Sequence, residues 1–226
     1  MRAVCLQHVP FEGPGAFATS LKKYDVELRQ VLVPRDGLPN DPGDLLIVMG
    51  GPMSVNDPDP WIAKETAFIQ RAMTAGVPTL GVCLGSQFMA KALGATVQSG
   101  PGVEIGMTAI QVTSEGRQDP VFGTLPPPLE VFQWHAEGYD CPPDAVTLAS
   151  SELFPVQAFR YGDRAYGWLF HLEMDQPSME SLCRECAGDV ARGHQTVGEL
   201  RRRAIPAFPQ LHQWADRLIA HLIRSS

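Results

Sequence analysis

Between residues 77 and 87 the chain reads Val-Pro-Thr-Leu-Gly-Val-Cys-Leu-Gly-Ser-Gln, an apolar run that passes through Gly81, Cys83 and Gly85 into a segment of helical character. A strand that turns sharply into a helix holds the residue at its apex in a strained conformation, and side chains two positions before and after collide with neighbouring backbone. Glycine at both places removes the collision, so the spacing Gly81-x-Cys83-x-Gly85 predicts a bend with the Cys83 sulfur at its tip. A helix starting near Leu84 would aim the positive end of its dipole at that sulfur and favour the thiolate. Alone, the motif also fits a tightly packed small hydrophobe. The strand before, the helix after and a position at a carboxyl strand end favour the nucleophile.

The rest of the pattern agrees with such a bend. Residues 2–8 and 26–33 read as strands, with a helix over residues 15–24 between them. The run Asp44-Leu45-Leu46-Ile47-Val48-Met49 is apolar after its first residue and stops at Gly50-Gly51-Pro52, as suits a strand covered on both faces. A helix is expected from about residue 60, with Trp61, Ile62, Phe68, Ile69 and Met73 apolar and Gly76 as C-cap, then a strand over residues 78–82. This alternation implies βαβ units and a parallel sheet, whose ligands lie beyond the carboxyl ends of the strands, where both Gly50-Gly51 and Cys83 would sit. From residue 103 to 170 short β-rich runs, among them 108–113 and 129–134, are separated by Pro and Gly turns and look antiparallel. A final amphipathic helix over residues 209–224 would bury Leu211, Trp214, Leu218, Ile219 and Leu222. The expected architecture is α/β, flavodoxin-like and doubly wound: a mainly parallel central sheet with an antiparallel edge or flap, in one domain over residues 1–226.

Composition narrows the function classes. A chain of 226 residues with 44% hydrophobic content can bury a sizeable core. Its formal charge of -7, from 25 acidic and 18 basic residues spread along the chain, argues against a nucleic-acid partner. The basic cluster Arg201-Arg202-Arg203 reads as a solvated helix face. The N-terminal apolar stretch is too short for a secretory segment, and no run reaches the roughly 18 apolar residues of a membrane span. Five scattered cysteines fit a reducing compartment, so a cytoplasmic protein is expected. Cys183-x-x-Cys186 has no second cysteine pair for zinc. The acidic stretch over residues 56–60 lacks calcium-loop spacing and reads as a turn and helix cap. Gly50-Gly51 does not extend into a phosphate-binding loop. No metal or cofactor is expected.

A cysteine nucleophile wants an imidazole, and the imidazole wants an acceptor that fixes its tautomer. In Tyr166-Gly167-Trp168-Leu169-Phe170-His171-Leu172-Glu173 the apolar run reads as a strand; if the extended conformation continues, His171 and Glu173 project together. The plainer alternative is a histidine meeting solvent at a strand end beside an acid. Of the other histidines, His135 follows the apolar run 131–134 and is placed to line a pocket, whereas His194, His212 and His221 lie in polar or helical surroundings.

Four ordered pieces, Met49-Gly50-Gly51-Pro52-Met53-Ser54, Gly81-Val82-Cys83-Leu84-Gly85-Ser86-Gln87, Trp134-His135-Ala136-Glu137 and Phe170-His171-Leu172-Glu173, make residues 45–175 similar to the class I glutamine amidotransferase family. Within it the chain most resembles free-standing relatives of the GMP synthase amidotransferase domain. The resemblance implies a triad of Cys83, His171 and Glu173 that forms a γ-glutamyl thioester and releases ammonia from glutamine. It implies an oxyanion held by the N–H groups of Gly51 and Leu84, with Gln87, His135, Ala136 and Glu137 gripping the α-amino and carboxylate ends of the substrate. Pro52 has no N–H to donate, which leaves Gly51 as the donor in that turn. Family members usually read Gln-Phe-His-Pro-Glu; here Leu169 and Leu172 take the Gln and Pro places and Ala136 stands where Gly is typical, which predicts a changed pocket rim. Three activities remain open: a glutaminase whose ammonia is released or passed to a separate synthetase or acceptor subunit, a self-sufficient hydrolase of γ-glutamyl conjugates, and an idle binding or regulatory module.

Overall fold

The computed structural model describes residues 1–224. Its first part is a succession of strands and helices: β1 (Arg2–Gln7), α1 (Gly15–Lys23), β2 (Glu27–Leu32), the single-turn α2 (Val33–Asp36), β3 (Leu45–Val48), α3 (Pro60–Thr74), β4 (Thr79–Val82) and α4 (Leu84–Ala92). These four strands pair in parallel in the order β2-β1-β3-β4. All four residues of β3 are wholly buried, as its uninterrupted apolar sequence requires of a strand with helices on both faces. The alternation of side chains splits the core accordingly. Ala3, Cys5, Leu45 and Ile47 join Phe17 and Leu21 of α1 on one face, while Val4, Leu6, Leu46 and Val48 join Ile62, Ile69, Phe88 and Met89 of α3 and α4 on the other. Each such large apolar side chain contributes about 1.5–3 kcal/mol by burial.

The second part supplies the antiparallel portion. β5 (Val97–Val112), α5 (Ser114–Gln118), β6 (Leu129–Tyr139), β7 (Ala145–Ser150), β8 (Ala158–Tyr161) and β9 (Ala165–Trp168) follow in sequence. β9 lies parallel to β4 and antiparallel to β8, which makes it the seam between the two halves of one sheet, ordered β2-β1-β3-β4-β9-β8-β7-β5-β6. β5 and β6 are longer than their apolar runs suggest, because their ladder extends past a register shift between Ser99 and Glu104 to the Val97–Tyr139 pair.

Four helices close the chain: α6 (Gln176–Glu185), α7 (Ala187–Arg192), α8 (Val197–Ala204) and α9 (Phe208–Arg224). The Asp175 side chain caps α6 by accepting from the Ser178 N–H, and Thr196 with Glu199 forms a capping box on α8. α9 buries Leu211, Trp214, Leu218, Ile219 and Leu222, the stripe its periodicity predicts, and packs against α1. Asp59 departs from expectation: it stands at the N-cap position of α3 but its side chain caps nothing, and Pro60, which needs no acceptor, opens the helix instead. Among the described residues no helix is long and apolar enough to cross a membrane.

Candidate active site

Cys83 stands where β4 turns into α4, with φ 51° and ψ -113°. A non-glycine residue in such a conformation carries about 1–3 kcal/mol of strain and persists only where its surroundings hold it. Here the Cys83 N–H donates to the Trp168 carbonyl at 2.8 Å, and the Cys83 carbonyl accepts from the N–H groups of Ser86 and Gln87 and from the Ser86 hydroxyl. The flanking glycines are required as the spacing predicts. A Cβ at Gly81 would sit 2.5 Å from Met89 Sδ and 2.7 Å from the Gly85 carbonyl carbon, and one at Gly85 would overlap the Val48 carbonyl. Cys83 Sγ itself lies 3.7 Å from the Trp134 carbonyl oxygen.

β9 ends at Trp168, so the extended segment expected to carry His171 does not continue. The chain bends and rejoins β6 through a single antiparallel bridge, in which the His171 N–H donates to the Phe132 carbonyl at 2.8 Å. His171 and Glu173 nevertheless meet, with Nδ1 2.7 Å from Glu173 Oε1 and both side chains buried. The start of α1 clamps Glu173 from behind: the Ala16 N–H donates to its carbonyl at 3.0 Å, and Gly15, at φ +43°, has no room for a Cβ beside that carbonyl. Burial disfavours charge on His171, but the Glu173 carboxylate, aided by the Cys83 sulfur, holds its proton well above the ordinary imidazole range. His171 Nε2 is buried and free of any hydrogen bond within bonding distance among the described residues, with Cys83 as its interacting neighbour.

Cys83 opens onto a cleft of about 340 Å³ lined by Gly51, Gln87, His135, Ala136 and Glu137 among others. Gln87 Nε2 donates to the Glu137 carbonyl at 3.4 Å, and the Ser54 hydroxyl donates to Glu137 Oε2 at 3.0 Å. His135 sits in the cleft wall with Nδ1 3.1 Å from the Glu137 carbonyl oxygen and Nε2 at ion-pair distance, 3.1 Å, from Glu104 Oε2. Leu84 begins α4, and N–H groups of a first helical turn have no intrahelical acceptor. The fold thus brings together Cys83, His171, Glu173, Gly51, Leu84, Gln87, His135, Ala136 and Glu137.

Leu169 and Leu172 correct the expected rim. Both are buried in the core, Leu172 in the cluster that holds Trp168 and Phe170 and Leu169 in the cluster that holds Phe88 and Met89; of the three unusual positions Ala136 alone is in the cleft wall. Cys183 and Cys186 are unpaired, and Arg201 makes a two-pronged ion pair with Glu180 at 2.6 Å, consistent with a solvated helix face. Among the described residues no group of three His, Cys, Asp or Glu side chains is arranged to hold a metal ion.

One cleft residue escapes sequence reasoning. Glu12, in the loop after β1, lines the cleft with Cys83 and also borders a small cavity beside His171 and Glu173. Burial pushes its carboxyl up to about 7, with His171 and His8 opposing the shift and Glu173 adding to it. The only signal for it is its place just beyond the carboxyl end of a buried strand.

The chain is similar to known proteins in both sequence and fold. Residues 16–185 match the family model described as glutamine amidotransferase class-I. The sequence is 32% identical over 214 residues to the glutamine amidotransferase-like protein YfeJ of Salmonella typhimurium, covering 89% of this chain and 90% of that one. It is 34% identical over 136 residues to the glutamine-hydrolyzing GMP synthase of Serratia proteamaculans, covering 57% of this chain but 25% of that enzyme. Among solved structures, a glutamine amidotransferase of Thermotoga maritima superposes with a TM-score of 0.90 at 27% identity, covering 99% of this chain and 98% of the other. A glutamine amidotransferase of Methylobacillus flagellatus does so with a TM-score of 0.90 at 30% identity, covering 99% and 94%.

Proposed function

The chain belongs to the class I glutamine amidotransferase family, and on that premise we propose that it hydrolyses the γ-amide of glutamine through a thioester on Cys83. The observation that carries this reading is the strained bend that presents Cys83 to a buried imidazole whose far nitrogen is bound by a carboxylate. Cys83 Sγ attacks the γ-carbonyl carbon as the thiolate, its proton already held on His171 Nε2. Glu173 fixes the proton of Nδ1 and stabilises the imidazolium that results. The N–H groups of Gly51 and Leu84 stabilise the negative oxygen of the tetrahedral intermediate, a contribution of about 3–4 kcal/mol per donor in comparable sites. Collapse breaks the C–N bond as His171 returns its proton to nitrogen, and ammonia leaves. Water, deprotonated by the same imidazole, then cleaves the thioester and frees glutamate. Gln87, His135, Ala136 and Glu137 face the far end of the substrate, where the Glu137 carboxylate suits an α-ammonium group. The ammonia is released or passed to a separate synthetase or acceptor subunit.

A second reading has its own observation. The Ala136 methyl in the cleft wall narrows the place where the α-end of free glutamine would lie, which favours γ-glutamyl conjugates that bind by a different end. Ammonia or amine release from glutamine and from a panel of γ-glutamyl amides, measured for the parent and for Cys83→Ser, tests both. Turnover of glutamine that vanishes in Cys83→Ser supports the first, and cleavage of conjugates with glutamine inert supports the second. If no substrate is turned over and no Cys83-dependent adduct forms with a glutamine-mimicking electrophile, the chain is an idle module.

A further inference from the structure

We propose that His8, held by Glu65, is a positioning residue for the oxyanion site: it fixes the Gly50–Gly51 peptide so that the Gly51 N–H faces the cleft. This inference rests on the amidohydrolase reading above.

His8 follows β1, and its ring is buried between Trp61 and Phe88, with centroids 5.8 and 5.5 Å away and planes within 29° and 22°. Its Nδ1 lies 3.0 Å from the Gly50 carbonyl oxygen and its Nε2 3.0 Å from Glu65 Oε1. A carbonyl oxygen only accepts, so Nδ1 carries a hydrogen whatever the state of Nε2. In a trans peptide the carbonyl and the following N–H point in opposite directions. Drawing the Gly50 carbonyl onto His8 therefore turns the Gly51 N–H away from His8, and Gly51 lines the cleft that Cys83 opens onto. Among the described residues no group accepts a hydrogen bond from that N–H.

Two glycines in succession cannot hold such an orientation alone, because glycine leaves both backbone angles loose. Nor is there room for a stiffer residue: a Cβ at Gly51 would come within 2.9 Å of Leu84 Cδ2 and 3.0 Å of His8 Cβ. The rigidity has to come from outside the turn. Glu65, wholly buried on α3, uses Oε1 on His8 and leaves Oε2 without a hydrogen-bond partner. Burying a histidine–carboxylate pair is a poor way to gain stability, since well-packed apolar side chains of similar volume do as well or better. A pair that spans β1 and α3 to grip one carbonyl is accounted for by what it positions. Burial opposes charge on the ring, but Glu65 keeps its proton above the ordinary imidazole range.

The test separates oxyanion support from the integrity of the thiol. Ammonia release gives kcat and KM on the best γ-glutamyl amide, while alkylation of Cys83 by iodoacetamide reports the sulfur through a displacement that develops no oxyanion. His8→Phe keeps the aromatic stack and removes the donor; kcat is expected to fall about 100- to 1000-fold, with KM and the alkylation rate within about threefold of the parent. His8→Asn, whose amide nitrogen takes the place of Nδ1, is expected to recover at least about tenfold. If His8→Phe does not fold, Glu65→Leu asks the same question from the other side of the ring, with Glu65→Gln as its rescue. A kcat within about threefold of the parent, or alkylation that falls together with kcat, overturns the role of His8. A parent that turns over no γ-glutamyl amide overturns the underlying reading and this role with it; an active parent with an indifferent His8→Phe overturns the role alone.

Discussion

Gly85 in the first turn of α4 lies so close to the Val48 carbonyl of β3 that a methyl group at position 85 would overlap it. Two effects of opposite sign therefore meet at one residue. Alanine is the better helix former by about 1 kcal/mol, which alone would make Gly85→Ala stabilising. The overlap is with backbone of a central strand, which cannot move aside as a flexible side chain can, and overpacking of that kind costs about 1–3 kcal/mol. The second effect wins, and Gly85→Ala is expected to unfold at lower urea and to lose thiol reactivity as the Cys83 bend is pushed out. An unchanged urea midpoint would mean that β3 and α4 separate freely.

The His171–Glu173 pair predicts a pH-dependent contribution to stability. The folded-state pKa of His171 lies well above the ordinary imidazole value, chiefly because Glu173 outweighs the penalty of burial. A raised histidine pKa contributes stability that is fully present below the ordinary value and is lost as pH rises through the folded value. Glu173→Gln should thus be most destabilising near pH 6, and the gap to the parent should close in the alkaline range. Urea titrations at several pH values check this, and a constant gap would show that the charge on His171 is not involved. On turnover, the same variant is expected to lower kcat about 100- to 10,000-fold, since the imidazole loses its orienting acceptor.

Much of this site is legible in the sequence because it is encoded locally. The bend needs two glycines at fixed spacing around Cys83, and the base and its orienter lie two residues apart. Where the local rule stops, so does the reading. Strand pairing ends at Trp168, yet Trp168, Phe170, Leu172 and Met174 still share one core cluster while Leu169 joins the other, so Leu169 and Leu172, expected at the pocket rim, are core residues. His8 and Glu65 are 57 residues apart, and Glu104 and Gln157 are 53 apart. Such pairs meet only after the sheet order is set, and no periodicity in either segment announces them. Ala136, Gln87 and Glu137 became legible by resemblance rather than by pattern.

Glu12 should behave in the reverse sense to an ion-paired acid. Burial raises its carboxyl to about 7. Its contribution is favourable below the ordinary glutamate value, where it is protonated in both states, and is lost as pH rises through about 7. Glu12→Gln is expected to match the parent near pH 4 and to be more stable than it at pH 8, by about 1–2 kcal/mol once partial solvent access is allowed for. Unfolding free energies of both proteins at the two pH values decide it. A variant that is less stable at pH 8 would mean that the carboxylate is held by a partner rather than merely buried.

Glu104 supplies the contrasting case. Burial works against its charge, but His135, Ser151 and Gln157 together hold its carboxyl below the usual range. A depressed acid contributes stability that is present above its ordinary value and is lost as pH falls through the folded one. Glu104→Gln keeps the shape and removes the charge, and should cost about 1–3 kcal/mol at pH 7. The cost should shrink towards nothing in acid below the ordinary carboxylate range, as seen in urea unfolding at pH 7 and in acid. Because Glu104 and the Glu137 carbonyl together fix the His135 ring in the cleft wall, the substitution should also raise KM for the γ-glutamyl substrate more than it lowers kcat. A fall in kcat with KM unchanged would instead place His135 at the reacting carbonyl.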